Sequence, residues 1–158
     1  KNSDIYDIAS LTKIVSTLPN VMKLYDAKKI TLETKLGTML PIFENSDKKN
    51  IVFKELLSHY AGLQAWIPFY QSTLYKGGFP LEKYYKKTFD SQFSKKVADS
   101  LFIRNDYHDT IMKMIIDSKL STKKEYKYSD VTFIIMKDYV ERVTGKKLDV
   151  LIQENFYN

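Results

Sequence analysis

A mostly α-helical fold is predicted by two features of the sequence. Apolar residues recur at helical spacing in several stretches, and no stretch alternates apolar and polar residues well enough to suggest a strand ladder. There is no internal repeat and no low-complexity tract. The 158 residues suffice for one domain with a real core and are short for two. The first residue is Lys1 rather than a methionine, so the chain is expected to be a piece of a longer protein. Nothing resembles a signal peptide, and no apolar run approaches membrane-spanning length, so no transmembrane segment is expected.

Residues 11–27 carry Ile14, Val15, Leu18, Val21, Met22, Leu24 and Tyr25 at helical spacing, which predicts a largely buried helix. Pro19 lies inside it. Proline removes an amide donor and clashes with the preceding turn, so a kink or local break is expected near Thr17 and Leu18. Residues 30–37 read as a turn and a short capped helix, ended by Pro41. After a polar loop at 45–50, residues 51–59 suit another short helix, with Gly62 supplying the left-handed residue that helix termini prefer.

From Pro68 to about Asp106, Gly77-Gly78 and Pro80 punctuate a stretch in which aromatic residues alternate with lysines. It reads as a long excursion with short helices, 68–106 forming an insertion or lid within a single 1–158 domain, or a wall of its site. Residues 109–119 are helical in pattern, with Ile111, Met114 and Ile115 on one face. A polar hinge at 121–127 leads into Tyr128-Ser129-Asp130. Phe133, Ile134, Met136, Tyr139, Val140 and Val143 then repeat at helical spacing until Thr144-Gly145, and 147–156 reads as a last helix.

The absence of cysteine excludes disulfides, thiol catalysis and thiolate metal sites. The formal charge of +6 comes mainly from lysines, scattered or in pairs such as Lys28-Lys29, Lys48-Lys49 and Lys86-Lys87. Nucleic-acid readers concentrate charge along one element and favour arginine at specific contacts, so these pairs read as solvated faces and no nucleic-acid partner is expected. His108, between Asp106 and Asp109, matches no metal-ligand spacing and reads as an exposed loop histidine. No metal and no cofactor are expected.

Ser10-Leu11-Thr12-Lys13 has the spacing of a Ser/Lys nucleophile pair, a spacing that a helix N-cap followed by a solvated lysine also produces. A serine hydroxyl is a poor nucleophile until a base takes its proton, and residues three apart on a helix are surface neighbours. Lysine serves as that base only when burial, nearby positive charge or a helix dipole destabilises its ammonium.

Ser10-Leu11-Thr12-Lys13, Leu56-Leu57-Ser58-His59-Tyr60-Ala61-Gly62-Leu63 and Tyr128-Ser129-Asp130, in this order, together resemble the serine β-lactamase and penicillin-binding-protein superfamily. The likeness is to its class C β-lactamase, D,D-peptidase and esterase branch, with segments S-x-x-K, L-L-[ST]-H-x-[SA]-G-L and Y-x-N. It covers nearly the whole chain apart from the 68–106 excursion. The resemblance implies the helical subdomain of a β-lactamase/transpeptidase-like α+β fold, with the sheet largely missing from this chain. The strand carrying K-T-G or H-x-G is absent too, so the remainder of a parent chain would complete the site.

By the same resemblance Ser10 matches the nucleophile, and its backbone N–H an oxyanion-hole donor. Lys13 matches the residue that accepts the serine proton or holds the adjacent base ionised. Tyr128 matches the tyrosine that shuttles the proton to the leaving group, a role that requires Lys13 as counter-charge because a neutral phenol is a poor base. Asp130 departs from the pattern, which has asparagine. A carboxylate there only accepts hydrogen bonds and favours the ammonium form of Lys13, so either it points at another partner or the site runs with altered protonation. His59 and Gly62 match structural positions, His59 bracing a loop. Trp66 and Tyr70, with Tyr75, would form an aromatic wall against substrate, although packing explains them equally well.

The implied activity is a serine acyl hydrolase or transferase acting on a small-molecule or peptidoglycan-type substrate, in the periplasm or elsewhere outside the cytoplasm of a bacterium. This piece alone is expected to turn over little. Two other readings remain: a non-catalytic binding or scaffold module with a degraded site, and a basic helical module that binds anionic polymer.

Overall fold

The computed structural model describes residues 4–157. They form two compact units, one made of the described residues up to Ala65 together with those from Leu120 on, the other of Trp66–Lys119.

The first unit is helical. Its opening helix starts at Leu11, passes through a π-helical turn at Lys13–Thr17 and continues as α1, Leu18–Asp26. Pro19 explains the change of register, because it has no N–H to donate and its ring crowds the carbonyl one turn back. The break expected near Thr17 and Leu18 is therefore a π-turn, in which the Leu18 N–H bonds to Lys13 O, the five-residue spacing of that register. Asn20, Val21 and Leu24 are buried, while Leu11, Ile14, Met22 and Tyr25 are exposed.

The second helix, α2, covers only Leu36–Met39. The turn before it is tied by Thr31 N–H to Thr34 Oγ1 at 2.9 Å. Then come α3 at Phe53–Leu57, α5 at Asp130–Thr144 and α6 at Leu148–Phe156, with α4 at Tyr107–Asp117 in the second unit. The helix α5 packs against the opening helix, α3 and α6. Its buried face is Val131, Thr132, Ile135, Met136, Tyr139 and Val140, so the stripe is rotated from the one the sequence suggested and Val143 faces solvent. The Tyr139 hydroxyl donates to Lys29 O at 2.8 Å, and Gly145, at φ +69°, ends the helix.

The structure departs from expectation at one lysine pair and at one helix end. Lys48 has a fully buried side chain with Nζ 2.7 Å from Asp47, whereas the pair Lys48-Lys49 was expected on a solvated face. The left-handed residue that ends α3 is His59, at φ +60°, not Gly62. Tyr60 N–H bonds to Glu55 O at 2.9 Å and His59 N–H to Leu56 O at 3.3 Å, the paired bonds of a Schellman ending.

The second unit contains the strands that the sequence did not suggest. They are β1 (Tyr85–Lys86), β2 (Lys95–Ala98) and β3 (Leu101–Ile103), antiparallel in the order β1-β3-β2. Tyr85 and Lys95 both oppose Ile103, and the register shifts between Lys96 and Ala98. Two to four residues are too few for alternation to register, and β2 is exposed along its whole length. The short helices expected in 68–106 reduce to one 3-10 turn, Gln71–Thr73. His108 stands half-buried in the first turn of α4, not in an exposed loop.

Candidate active site

Ser10 is exposed, at the point where an extended segment turns into the opening helix. The turn is made by Ala9, a non-glycine residue at φ +44°, whose N–H bonds to Asp7 Oδ1 at 2.7 Å. A left-handed alanine is strained, and such residues concentrate at sites where the chain must present a side chain. One helical turn later Lys13 Nζ donates to Ser10 Oγ at 3.0 Å.

The Tyr128 hydroxyl donates to the same Ser10 oxygen at 3.2 Å. Asp130, the first residue of α5, puts Oδ1 2.7 Å from Lys13 Nζ. That oxygen is buried and has no hydrogen bond of regular geometry among the described residues, so Lys13 meets it as an ionic contact. Ser10, Lys13, Tyr128 and Asp130 thus meet in one cluster.

The charge on Lys13 is set by opposing influences. Burial, the largest, disfavours the ammonium, but the adjacent Asp130 carboxylate and Tyr128 hydroxyl together outweigh it. The net effect holds Lys13 above the usual lysine pKa, hence protonated at neutral pH. The Lys13 ammonium also lies 5.7 Å from the Tyr128 ring centroid and 5.9 Å from that of Phe133. Sequence reading missed Phe133; its signal was the spacing of three from Asp130, which puts both on one helix face.

The segment bearing Tyr128 is pinned to the loop after α3. Lys127 N–H bonds to His59 O at 3.0 Å, Ser129 N–H to His59 Nδ1 at 3.2 Å, Ser129 Oγ–H to Gln64 O at 2.6 Å, and Asp130 N–H to Ala65 O at 2.9 Å. Gly62 stands at φ +72°, with a Cβ there 2.8 Å from Ser121 O. A side chain at that position would meet both backbone strain and a carbonyl.

Trp66 and Tyr70 belong to the Trp66–Lys119 unit, about half-exposed, with ring centroids 6.3 Å apart. Among the described residues no group of three or more His, Asp or Glu side chains could hold a metal ion.

Comparison with known proteins adds the family. The sequence matches the family described as Beta-lactamase over residues 2–158. An N-acetylmuramyl-L-alanine amidase of Bacillus subtilis is 27% identical, across 99% of this chain and 32% of its own length. A candidate D-alanyl-D-alanine carboxypeptidase of Escherichia coli K12 is 26% identical, across 97% and 31%. The chain therefore spans about a third of the curated relatives it matches. Among solved structures, FmtA of Staphylococcus aureus superposes with a TM-score of 0.58 at 20% identity, over 92% of this chain and 32% of its own. EstCE1, a hydrolase with promiscuous acyltransferase activity, gives 0.56 at 20% identity, over 92% and 35%. At these identities the structural likeness speaks for the fold, a fragment of the β-lactamase-like architecture. With the family match running over nearly its whole length, the chain belongs to the β-lactamase family.

Proposed function

We propose that the chain carries the nucleophile and proton-transfer groups of a serine acyl hydrolase or transferase, acting on peptidoglycan-type acyl groups outside the cytoplasm of a bacterium. One observation carries the reading: Ser10 Oγ receives hydrogen bonds from Lys13 and from Tyr128, the latter 118 residues away in sequence. A solvated serine has no need of two such donors, whereas a nucleophile gains from them as charge builds on Oγ.

In acylation the Tyr128 O–H turns from Ser10 toward the leaving group, and as Ser10 Oγ forms its bond to the acyl carbon the serine proton passes to the lone pair thus freed on the Tyr128 oxygen. The phenolic proton of Tyr128 passes in turn to the leaving nitrogen or oxygen, and the bond from that atom to the acyl carbon breaks. Lys13, held as an ammonium by Asp130, supplies positive charge to both oxygens rather than acting as the resting base. Deacylation repeats the relay in reverse, with water or an acceptor amine or hydroxyl in place of the leaving group. The rest of the native protein is proposed as the source of the second oxyanion donor. The names of the amidase and carboxypeptidase relatives support the substrate class and the location. No helix among the described residues is long and apolar enough to cross a membrane.

A second reading, a binding module with a degraded site, is favoured by the Lys13–Asp130 ion pair, which opposes lysine as a base. Intact mass separates the two. The native full-length protein and Ser10→Ala are exposed to an acylating penicillin and, separately, to a fluorophosphonate. The expected result is one adduct, mapped to Ser10 and absent from the variant. A folded protein that gives no adduct with either reagent is the binding module.

A further inference from the structure

We propose that His59 is the positioning residue for Tyr128, and that protonation of its imidazole displaces Tyr128 from Ser10 and slows acyl transfer in acid. The kinetic half of this rests on the Ser10 chemistry proposed above.

Residues on both sides of Tyr128 hang on His59. Its carbonyl accepts from Lys127 N–H at 3.0 Å and its Nδ1 from Ser129 N–H at 3.2 Å. Between those two anchors the Tyr128 ring lies against the imidazole, centroids 4.6 Å apart and planes tilted by 41°. Tyr126 stands edge-on at 6.0 Å and the Phe133 ring is tilted at 5.9 Å. The left-handed backbone of His59 is what allows its carbonyl and its ring to reach the same segment. A histidine at φ +60° is uncommon, and the chain places it beside the residue whose hydroxyl meets Ser10.

A backbone amide can only donate, so Nδ1 must carry a lone pair and the proton of the neutral ring sits on Nε2. Protonation adds a hydrogen to Nδ1 and sets N–H against N–H at a separation of 3.2 Å. The Ser129 contact then turns from bond to repulsion. Ser129 Oγ still donates to Gln64 O, Asp130 N–H to Ala65 O and Lys127 N–H to His59 O, so both ends of the segment stay in place and the displacement falls on Tyr128 between them.

The charged groups that act on the ring are Lys13 from the opening helix and Asp130 from α5; Tyr126 and Tyr128 are the titratable groups against its faces. Burial disfavours the imidazolium most, the Lys13 ammonium adds to it, and Asp130 opposes both. The balance keeps His59 below the ordinary histidine range, hence neutral and bonded to Ser129 at pH 7.

The test is the pH dependence of Ser10 phosphonylation by a fluorophosphonate in the native full-length protein, in which the Oγ–P bond forms and fluoride leaves. His59→Asn is the informative variant, since asparagine tolerates the left-handed region, offers an amide oxygen where Nδ1 stood and does not titrate. Wild type is expected to lose about a hundredfold in rate as pH falls through the His59 midpoint, read from the imidazole proton resonances, the lower end of what a positioned proton-transfer group contributes. His59→Asn is expected to keep the neutral-pH rate within about threefold and to lack that acid limb, while His59→Phe is slow at every pH. A His59→Asn protein with the wild-type acid limb overturns the proposal. The structural half is read without any reaction: the Ser129 amide resonance should shift with the His59 midpoint, and one that stays still overturns the clamp. If Ser10 is labelled at no pH, the nucleophile reading fails, and the Ser129 resonance still decides the role of His59.

Discussion

Replacing Asp130 by asparagine keeps size and shape and removes one charge 2.7 Å from Lys13 Nζ. In the folded protein the carboxylate draws on the ammonium that also serves Ser10 Oγ at 3.0 Å. An ion pair open to solvent contributes about 0.2–1 kcal/mol. Here the Lys13 side chain is 19% exposed and that of Asp130 40%, which puts this pair at the upper end, about 1 kcal/mol. Released from the pair, Lys13 directs its full charge to Ser10 and Tyr128, and burial, now less opposed, makes its proton easier to lose. About 1 kcal/mol off the barrier corresponds to roughly a fivefold faster acylation at pH 7. The assay is the second-order rate of fluorophosphonate labelling by intact mass, with urea unfolding alongside, where Asp130→Asn should be less stable by about the same 1 kcal/mol. The stability effect has a definite pH sign. Lys13 is raised above its ordinary value of 10.5, so its contribution is complete below that pH and lost as pH rises through the folded value. A labelling rate that falls by about tenfold in Asp130→Asn would refute the reasoning, because it would make the carboxylate a working part of the proton transfer rather than a restraint on Lys13.

Gly62→Ala should lower stability by about 2–3 kcal/mol in urea unfolding, about 1 from the left-handed backbone and the rest from displacing Ser121 O, whose residue also donates to Gly62 O. A loss under about 0.5 kcal/mol would show that the loop yields freely. Glu55 accepts from Val52 N–H at 3.1 Å and pairs with Lys124 at 2.6 Å. Burial alone would raise its pKa, but the Lys124 bond, the Val52 N–H and the charges of Lys124 and Lys54 outweigh it and hold the carboxyl below its ordinary value of 4.5. The stability this lends is present above that pH and lost as pH falls through the folded value. Glu55→Gln should therefore be less stable by about 0.5–1 kcal/mol at pH 7 and show a shallower decline on acidification, measured by denaturant midpoints between about pH 3 and about pH 7.

The helices were legible where packing follows local spacing. The opening helix, α4 and α5 each bury residues three or four apart, so a hydrophobic pattern finds them as helices, although it misjudged which face of the opening helix and of α5 is buried. The strands were not, since β1 has two residues and β3 three, and their pairing is decided by which backbone groups meet across the excursion rather than by any local pattern. Lys48 was invisible for the same reason. A lysine beside a lysine looks solvated, and only the turn formed by Ser46 and Asp47 shows why this one is enclosed. At the site, Ser10 and Lys13 could be paired from their spacing alone, but Tyr128 and Asp130 came from the order of three motifs, not from any rule of spacing.

His59 shows where motif reading falls short of geometry. The motif marked it as a brace, and a brace needs only a hydrogen bond, which any polar side chain could supply. Sequence gives no sign that the residue ends α3 in the left-handed region, because glycine three positions later is the more obvious choice for that conformation. Glycine at the helix end would have relieved the strain and removed the ring. Histidine keeps the strain, of order 1 kcal/mol, and in return one residue supplies a carbonyl for Lys127, a lone pair for Ser129 and a face for Tyr128. The position of the Tyr128 hydroxyl over Ser10 is thus tied to the end of a helix some seventy residues earlier in the chain, and through it to a group that titrates.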